Sequence, residues 1–523
     1  MEKKFRYDMQ TGVVKTDKGL VHGYEYDGVV VFKGIPYARA RRFHEPEPME
    51  PWEGILETVG AGYICPNMEG EMLVNDLGGA HRIGVQNENC QNLNVWTPAC
   101  DDGKRPVMVW LHGGAFTMGS SLENVSYEGH SASKYGNIVF VSINHRLNIL
   151  GYCDLSEFGE EYENSGNAGT SDMVAALRWV HDNIALFGGD PENVTIFGQS
   201  GGGMKVTALL QTPAADGLFH KGLIMSGVQG GALFDCVGSG KKMGEMLMEQ
   251  AGVSSVKELE TMPYPQLAEA FRQVRRVLRP KKCNSGETPC RNGYYVGDPL
   301  EVPFRKETAH IPLLIGSTFS EFSGFGLARY DRNSITEAEA KNVVEEKWGK
   351  ELAEKALPLF QKAYPERTPL DLLGMDYMFR LYTLEYIKHR AAAGCAPIWD
   401  YIFNLDGPMY GGQLPPHGAD IPFVFHNTAF VPSTQQPGVT EKMERQIFET
   451  VMAFVHTGDP NNSEIPQWLP ASTEELHTLV LGQETEVRVN HDGKLVEMIS
   501  DAFLDDMVKG LLSQMSGIPK EEI

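Results

Sequence analysis

Thr195-Ile196-Phe197-Gly198-Gln199-Ser200-Gly201-Gly202-Gly203 decides how the chain is read. An apolar strand runs into glycines and then into a helix predicted to begin near Met204. A serine with glycines two positions away on either side can occupy a strained strand-to-helix corner, because those glycines lack the Cβ atoms that would collide there. The corner lifts the Ser200 hydroxyl out of the sheet. It also sets the Gly201 amide at a helix N-terminus, where unpaired N–H groups favour developing negative charge. In a chain with 56 glycines the same letters also spell a plain Gly-Ser turn. Partners for Ser200 must therefore be found elsewhere.

Moving outward, Met173, Ala176, Leu177, Val180, Ile184 and Phe187 recur at three and four residues and predict an amphipathic helix over 172–187. Gly188-Gly189-Asp190-Pro191 stops it, and Val194–Phe197 follows as a strand. Val107–Leu111 and Ile138–Ile143 are continuous apolar runs of the kind that lie in a parallel sheet covered on both faces. Strand, helix, strand, elbow and helix make a βαβ unit with right-handed crossovers. Lys221–Ser226, Ile311–Gly316 and Pro397–Phe403 read as further strands, and Val13–Tyr24 with Val29–Phe32 as a short meander near the start. The fold class is α/β, with one large, mostly parallel central sheet flanked by helices. The 523 residues are read as a single domain, with helical cap insertions over about 235–310 and 325–395 above the sheet's C-terminal edge. Helices are also expected over 441–456 and 499–515.

A formal net charge of -23 argues against nucleic acid and anionic membrane surfaces as partners. No stretch approaches the roughly 20 apolar residues of a membrane span. The N-terminal Met1-Glu2-Lys3-Lys4-Phe5 is not followed by an apolar segment, so a cytoplasmic location is expected. Eight cysteines are too sparse for a disulfide scaffold and none forms a paired C-x-x-C zinc pattern, so buried thiols are expected and no metal.

In open α/β sheets ligands bind beyond the carboxyl ends of the strands, and three such ends carry polar or small residues. Gly113-Gly114-Ala115 follows Val107–Leu111, and consecutive small residues let backbone amides face an oxyanion. Glu321 lies just beyond the strand at Ile311–Gly316, and His417 lies in a loop after Ile402-Phe403. Singly, each has a plain structural reading as a turn, a surface carboxylate and one histidine among 15. Together they give the chain order Ser, acid, His that an α/β-hydrolase fold requires.

At this point the chain resembles the type-B carboxylesterase family, which includes the cholinesterases, over nearly its whole length and in a bacterial-type form. The matching stretches are Phe32–Ala38, Arg42-Phe43, Glu88-Asn89-Cys90 with Leu93–Trp96, His112–Phe116, Asn144–Arg146, Phe187–Pro191, the elbow, Gly316–Glu321, His417-Gly418 and Gly458–Pro460. The resemblance implies a serine ester hydrolase with Ser200 as nucleophile, Glu321 as acid and His417 as general base. It further implies Gly114, Ala115 and Gly201 as oxyanion-hole amides, Ser226 as a hydroxyl supporting the triad, and Arg42 with Glu88 as a structural ion pair. Acyl transfer from a small-molecule ester to water changes no oxidation state and calls for no metal or organic cofactor.

The chain departs from the family pattern at two positions beside the nucleophile. The family usually has Glu before the serine and Ala after it, where this chain has Gln199 and Gly201. Losing a carboxylate about 6 Å from a forming imidazolium removes on the order of 1 to 3 kcal/mol of favourable field at an effective dielectric near 20. Cys65 and Cys90 resemble a disulfide that secreted members form, expected to be reduced in a cytosolic chain. No tryptophan lies between them, where cholinesterases hold a quaternary ammonium, which argues against a choline-ester specialist. The expected substrates are small to medium uncharged esters. A lipase, an acyltransferase or amidase with the same triad, and a non-catalytic interaction protein on the same scaffold are the competing readings.

Overall fold

The computed structural model describes residues 4–67, 81–228, 239–278, 284, 286–327, 329–409, 412–516 and 519–522. The chain is built on a 12-stranded sheet. Its strands in chain order are β1 (Phe5–Arg6), β2 (Tyr24–Tyr26), β3 (Val29–Pro36), β4 (Asn92–Thr97), β5 (Arg105–Leu111) and β6 (Val139–Ile143). They continue as β7 (Gly189–Gln199), β8 (Lys221–Met225), β9 (Leu313–Thr318), β10 (Ile398–Phe403), β11 (His477–Leu481) and β12 (Thr485–Val489). The spatial order is β1-β2-β3-β4-β6-β5-β7-β8-β9-β10-β11-β12. From β6 to β11 neighbouring strands are parallel, while the pairs at both ends are antiparallel.

The apolar runs become central strands because both faces are covered. In β5, Val107, Val109 and Leu111 enter one core with Met173, Leu177 and Val180 of helix α1 (Ala168–Asn183). Met108 and Trp110 enter the opposite core. Strand period two thus sends alternate side chains into two different layers. Ile447, Val451 and Phe454, spaced by four and three residues, line that second core. They come from a long C-terminal helix whose bounds are Thr440–Thr457.

The elbow differs from the sequence expectation in one respect. Helix α2 spans Gly201–Leu210, so the three glycines lie inside it and it begins well before Met204. Close packing explains this. A Cβ on Gly202 would sit 2.0 Å from the carbonyl oxygen of Leu111, and one on Gly201 would sit 2.1 Å from the amide nitrogen of Ala115. The helix N-terminus can press against the end of β5 only with hydrogens at these positions, and that approach outweighs the poor helix propensity of glycine.

The first insertion contributes helices α3 (Lys241–Ala251), α4 (Val256–Thr261) and α5 (Tyr264–Leu278). Residues 235–238, 279–283 and 285 of its expected span lie outside the described residues. Leu267, Phe271, Val274 and Leu278 of α5 join Met243 and Leu247 of α3 in a core that also takes in Leu147, Leu150 and Leu155, which follow β6. The second insertion contains α6 (Glu337–Trp348), α7 (Lys350–Ala363) and α8 (Met378–Ala392). Thr336 and Glu339 close a capping box at the start of α6. Its core includes Phe319, just past β9, so this insertion packs directly on the loop that carries Glu321. The chain ends in α9 (Thr440–Thr457), already described, and α10 (Gly493–Ser516). No helix among the described residues is long and apolar enough to cross a membrane.

Candidate active site

The three strand ends singled out by the sequence meet at one place. Ser200 follows β7 with φ 59° and ψ -126°, a conformation that L side chains rarely adopt. Its amide donates to the carbonyl of Met225 at the end of β8, which ties the corner to the neighbouring strand. Glu321 and Ser226 also have positive φ, 40° and 46°. Strain at three residues of one locality is a mark of functional sites, where surrounding structure over-determines the backbone.

The acid and histidine loops are joined before their side chains touch. Pro416 bridges Glu321 in a parallel β-bridge, and the amide of His417 donates to the Glu321 carbonyl at 3.0 Å. The Glu321 carboxylate, 1% exposed, accepts from the Ser226 hydroxyl at 2.7 Å and the Thr318 amide at 2.8 Å through Oε1. Its Oε2 accepts the Nδ1–H of His417. That bond assigns the proton to Nδ1 and leaves Nε2 as an acceptor. The Gln199 side-chain amide donates to Nε2 at 3.1 Å. Among the described residues the Nε2 partner is thus Gln199, the residue before the elbow serine.

The loop after β5 packs against the elbow. Gly114 and Ala115 have φ 83° and 51°. The Gly114 carbonyl accepts from the amides of Thr117 and Met118, and the Phe116 carbonyl from the amide of Asn148. The amides of Gly114 and Ala115 donate to no acceptor among the described residues. Gly201, as the first residue of α2, also has an amide without an intrahelical partner. The Ala115 amide nitrogen lies against the Cα of Gly201, which brings the β5 loop up to the elbow.

The sequence model of the carboxylesterase family matches residues 10–498. The chain belongs to that family. It is 32% identical to the para-nitrobenzyl esterase of Bacillus subtilis over 499 residues, covering 92% of this chain and 96% of that protein. Among solved structures it is similar to an esterase of Clostridium hathewayi that can hydrolyse aliphatic aromatic polyesters. There the TM-score is 0.93 at 42% identity, covering 96% of this chain and 100% of the other. A carboxylesterase of Geobacillus stearothermophilus aligns with TM-score 0.74 at 31% identity, over 93% and 99% of the two chains. The chain is a serine carboxylic ester hydrolase with the α/β-hydrolase fold.

Several features of this carboxylesterase's site were not read from the sequence. Two further buried carboxyls lie near Glu321. Asp376 is pushed well above the ordinary carboxylate range by burial and then by the Glu321 charge. Asp420 is pushed up to about 6 by burial, although the Tyr401 hydroxyl donates to it at 2.7 Å. Burial thus disfavours charge on both carboxyls beside Glu321. The rings of Phe322 and Phe379 lie 4.4 and 5.1 Å from the imidazole, and Phe322 is 46% exposed. Of the other apolar residues in these two loops, Phe116 and Phe319 are core and Met118 is half-buried, while the Phe325 side chain lies outside the described residues.

The ion pair implied by the resemblance forms, whereas the disulfide of secreted members does not. Arg42 donates to Glu88 and also to the carbonyls of Leu259 and Met262, pinning the first insertion to the N-terminal segment. Cys65 and Cys90 are buried free thiols, and the Leu147 amide donates to Cys65 Sγ at 3.2 Å.

Proposed function

We propose that this carboxylesterase cleaves small to medium uncharged esters through an acyl-enzyme on Ser200. His417 takes the Ser200 proton on Nε2 as the hydroxyl oxygen attacks the ester carbonyl, and Glu321 holds the imidazolium through Nδ1. The amides of Gly114, Ala115 and Gly201 receive the oxyanion. His417 then gives its proton to the departing alcohol. Water attacks the acyl-enzyme by the reverse proton traffic and releases the acid with Ser200 restored. For this to begin, the Gln199 amide must leave Nε2, which frees the lone pair for the serine.

The observation that carries this reading is the Glu321–His417 pair, with Nδ1 protonated and Nε2 turned toward the elbow. Steady-state rates on p-nitrophenyl esters of increasing chain length, with Ser200→Ala as control, test it. The reading expects fastest turnover on short chains and at least a 10³-fold loss in the alanine variant, in line with removal of a triad member. A strong preference for long, micellar chains would replace it with a lipase.

A second reading refines the substrate. Half-exposed Phe322 beside the imidazole offers an aromatic surface to whatever occupies the site, and the similar C. hathewayi esterase acts on aliphatic aromatic polyesters. Esters with an aromatic acyl or alcohol group are the corresponding substrates here. A p-nitrophenyl benzoate to acetate ratio that drops in Phe322→Ala supports this; an unchanged ratio removes it.

A further inference from the structure

Behind the loop that follows β5 lies a charged group for which the mechanism above has no use. Lys205 is on the first turns of α2, five residues after Ser200, and its side chain is completely buried. Its Nζ donates to the carbonyl oxygen of His112 at 2.8 Å. His112 is the residue from which the Gly113-Gly114-Ala115 segment departs, and its own Nδ1 lies 2.9 Å from the Gly113 carbonyl. Among the described residues no carboxylate lies within ion-pair distance of Lys205. Burying an ammonium with so few partners is expensive, and such a group persists where its charge has work in another state of the molecule.

The surroundings are specific. Four titratable groups face the ammonium from the elements packed around it. Glu123 lies beyond the β5 loop, where its carboxylate accepts from the Ser120 amide at 3.1 Å. His112 and His145 stack at 5.1 Å, and Cys65 reaches in from the N-terminal segment. Burial holds both imidazoles well below their usual range, so they are neutral. Burial likewise lowers Lys205 to about 7, with Glu123 acting in the opposite sense, and raises Glu123 to about 7. Among the described residues no anion contacts Lys205, and the anion that would answer it is the tetrahedral oxyanion received by the Gly114 and Ala115 amides of the segment that Lys205 holds.

We propose that Lys205 is a positioning residue for ester hydrolysis: it fixes the root of the oxyanion loop through the His112 carbonyl, and its charge favours the oxyanion held by that loop. The inference rests on the reading of Gly114, Ala115 and Gly201 as the oxyanion hole. The cation is paid for in the ground state and compensated in the transition state, as electrostatic preorganisation requires.

Lys205→Met and Lys205→Arg, measured on p-nitrophenyl acetate between pH 6 and 9, test it together with the Ki of a trifluoromethyl ketone that forms a hemiketal oxyanion. Lys205→Met is expected to lower kcat 10- to 100-fold with KM within twofold, to raise Ki by the same factor, and to abolish any fall in kcat above pH 7. Lys205→Arg is expected to recover part of both losses. A folded Lys205→Met with kcat and Ki within twofold of the parent overturns the proposal, as does a rise in KM at constant kcat. Should the Met variant not fold, the parent decides. Its Ki must rise at least tenfold between pH 7 and 9 while that of Lys205→Arg stays level, and a level parent Ki overturns the proposal. If the ketone fails to inhibit the parent, the oxyanion-hole reading itself falls and takes the inference with it.

Discussion

The side-chain amide of Gln199 donates to Nε2 of His417 at 3.1 Å, occupying the nitrogen that the proposed mechanism uses to accept the serine proton. A glutamate in that place could not donate to a neutral imidazole. It would hold an imidazolium instead, because an opposite charge nearby favours the charged form. Gln199→Glu is therefore expected to fold normally and to move the acid limb of the kcat/KM profile to higher pH. The same limb in parent and variant would show that residue 199 has no influence on the histidine.

Gly201 makes a second, independent prediction. The methyl group that the family usually carries here would lie 2.1 Å from the Ala115 amide nitrogen. Gly201→Ala must push the β5 loop away from the elbow, separating the amides proposed to receive the oxyanion. A drop of roughly 10- to 100-fold in kcat is expected, less than the about 2.7 to 4 kcal/mol that removing an oxyanion donor outright costs. Rates on p-nitrophenyl acetate check this, with thermal unfolding to confirm that the variant is folded. Unchanged kcat would mean that the loop can shift without affecting catalysis.

Ser226 lies at the other end of the hydrogen-bonded chain from Gln199 through His417 to Glu321. Its hydroxyl donates to Glu321 at 2.7 Å, and the Thr318 amide is the carboxylate's second protein donor on that oxygen. Hydrogen bonds to charged groups contribute about 1.5 to 3 kcal/mol. Ser226→Ala is expected to lower kcat roughly 10- to 100-fold, with KM nearly unchanged. A matched loss in KM and none in kcat would assign Ser226 to packing alone.

Much of this was legible in the chain itself, for reasons that differ by element. The central strands stood out because a strand buried on both faces must be apolar along its length, as Val107–Leu111 is. The order Ser200, Glu321, His417 emerged because each follows such a strand. By contrast, α8 carries no clear apolar stripe, since it is buried nearly all round and takes Arg380 and Arg390 into the interior. Arg380 there meets Asp400 and Asp492, partners supplied by β10 and the start of α10. The Gln199–His417 contact joins residues 218 positions apart, which no local pattern encodes. Lys205 reads on paper as one more solvated helix lysine, and only the packing of α2 against β5 buries it.

Stability should carry the mark of that burial. Lys205 is lowered to about 7 in the folded chain, against roughly 10.4 when unfolded. Between these values the unfolded state binds more protons, so this group makes stability rise with pH through that window. Below about 7 its cost is fully present. Lys205→Met lacks the cost at every pH, so its urea midpoint relative to the parent should be highest near pH 6 and decline toward pH 9. A difference independent of pH would mean that Lys205 titrates normally.

In the proposed mechanism one hydroxyl, at Ser200, attacks the ester. A fluorophosphonate probe followed by intact mass and peptide mapping tests it most directly. One probe per chain, mapped to the peptide bearing Ser200 and absent from Ser200→Ala, is the predicted result. Stoichiometric labelling at another residue, or equal labelling of the alanine variant, would contradict it.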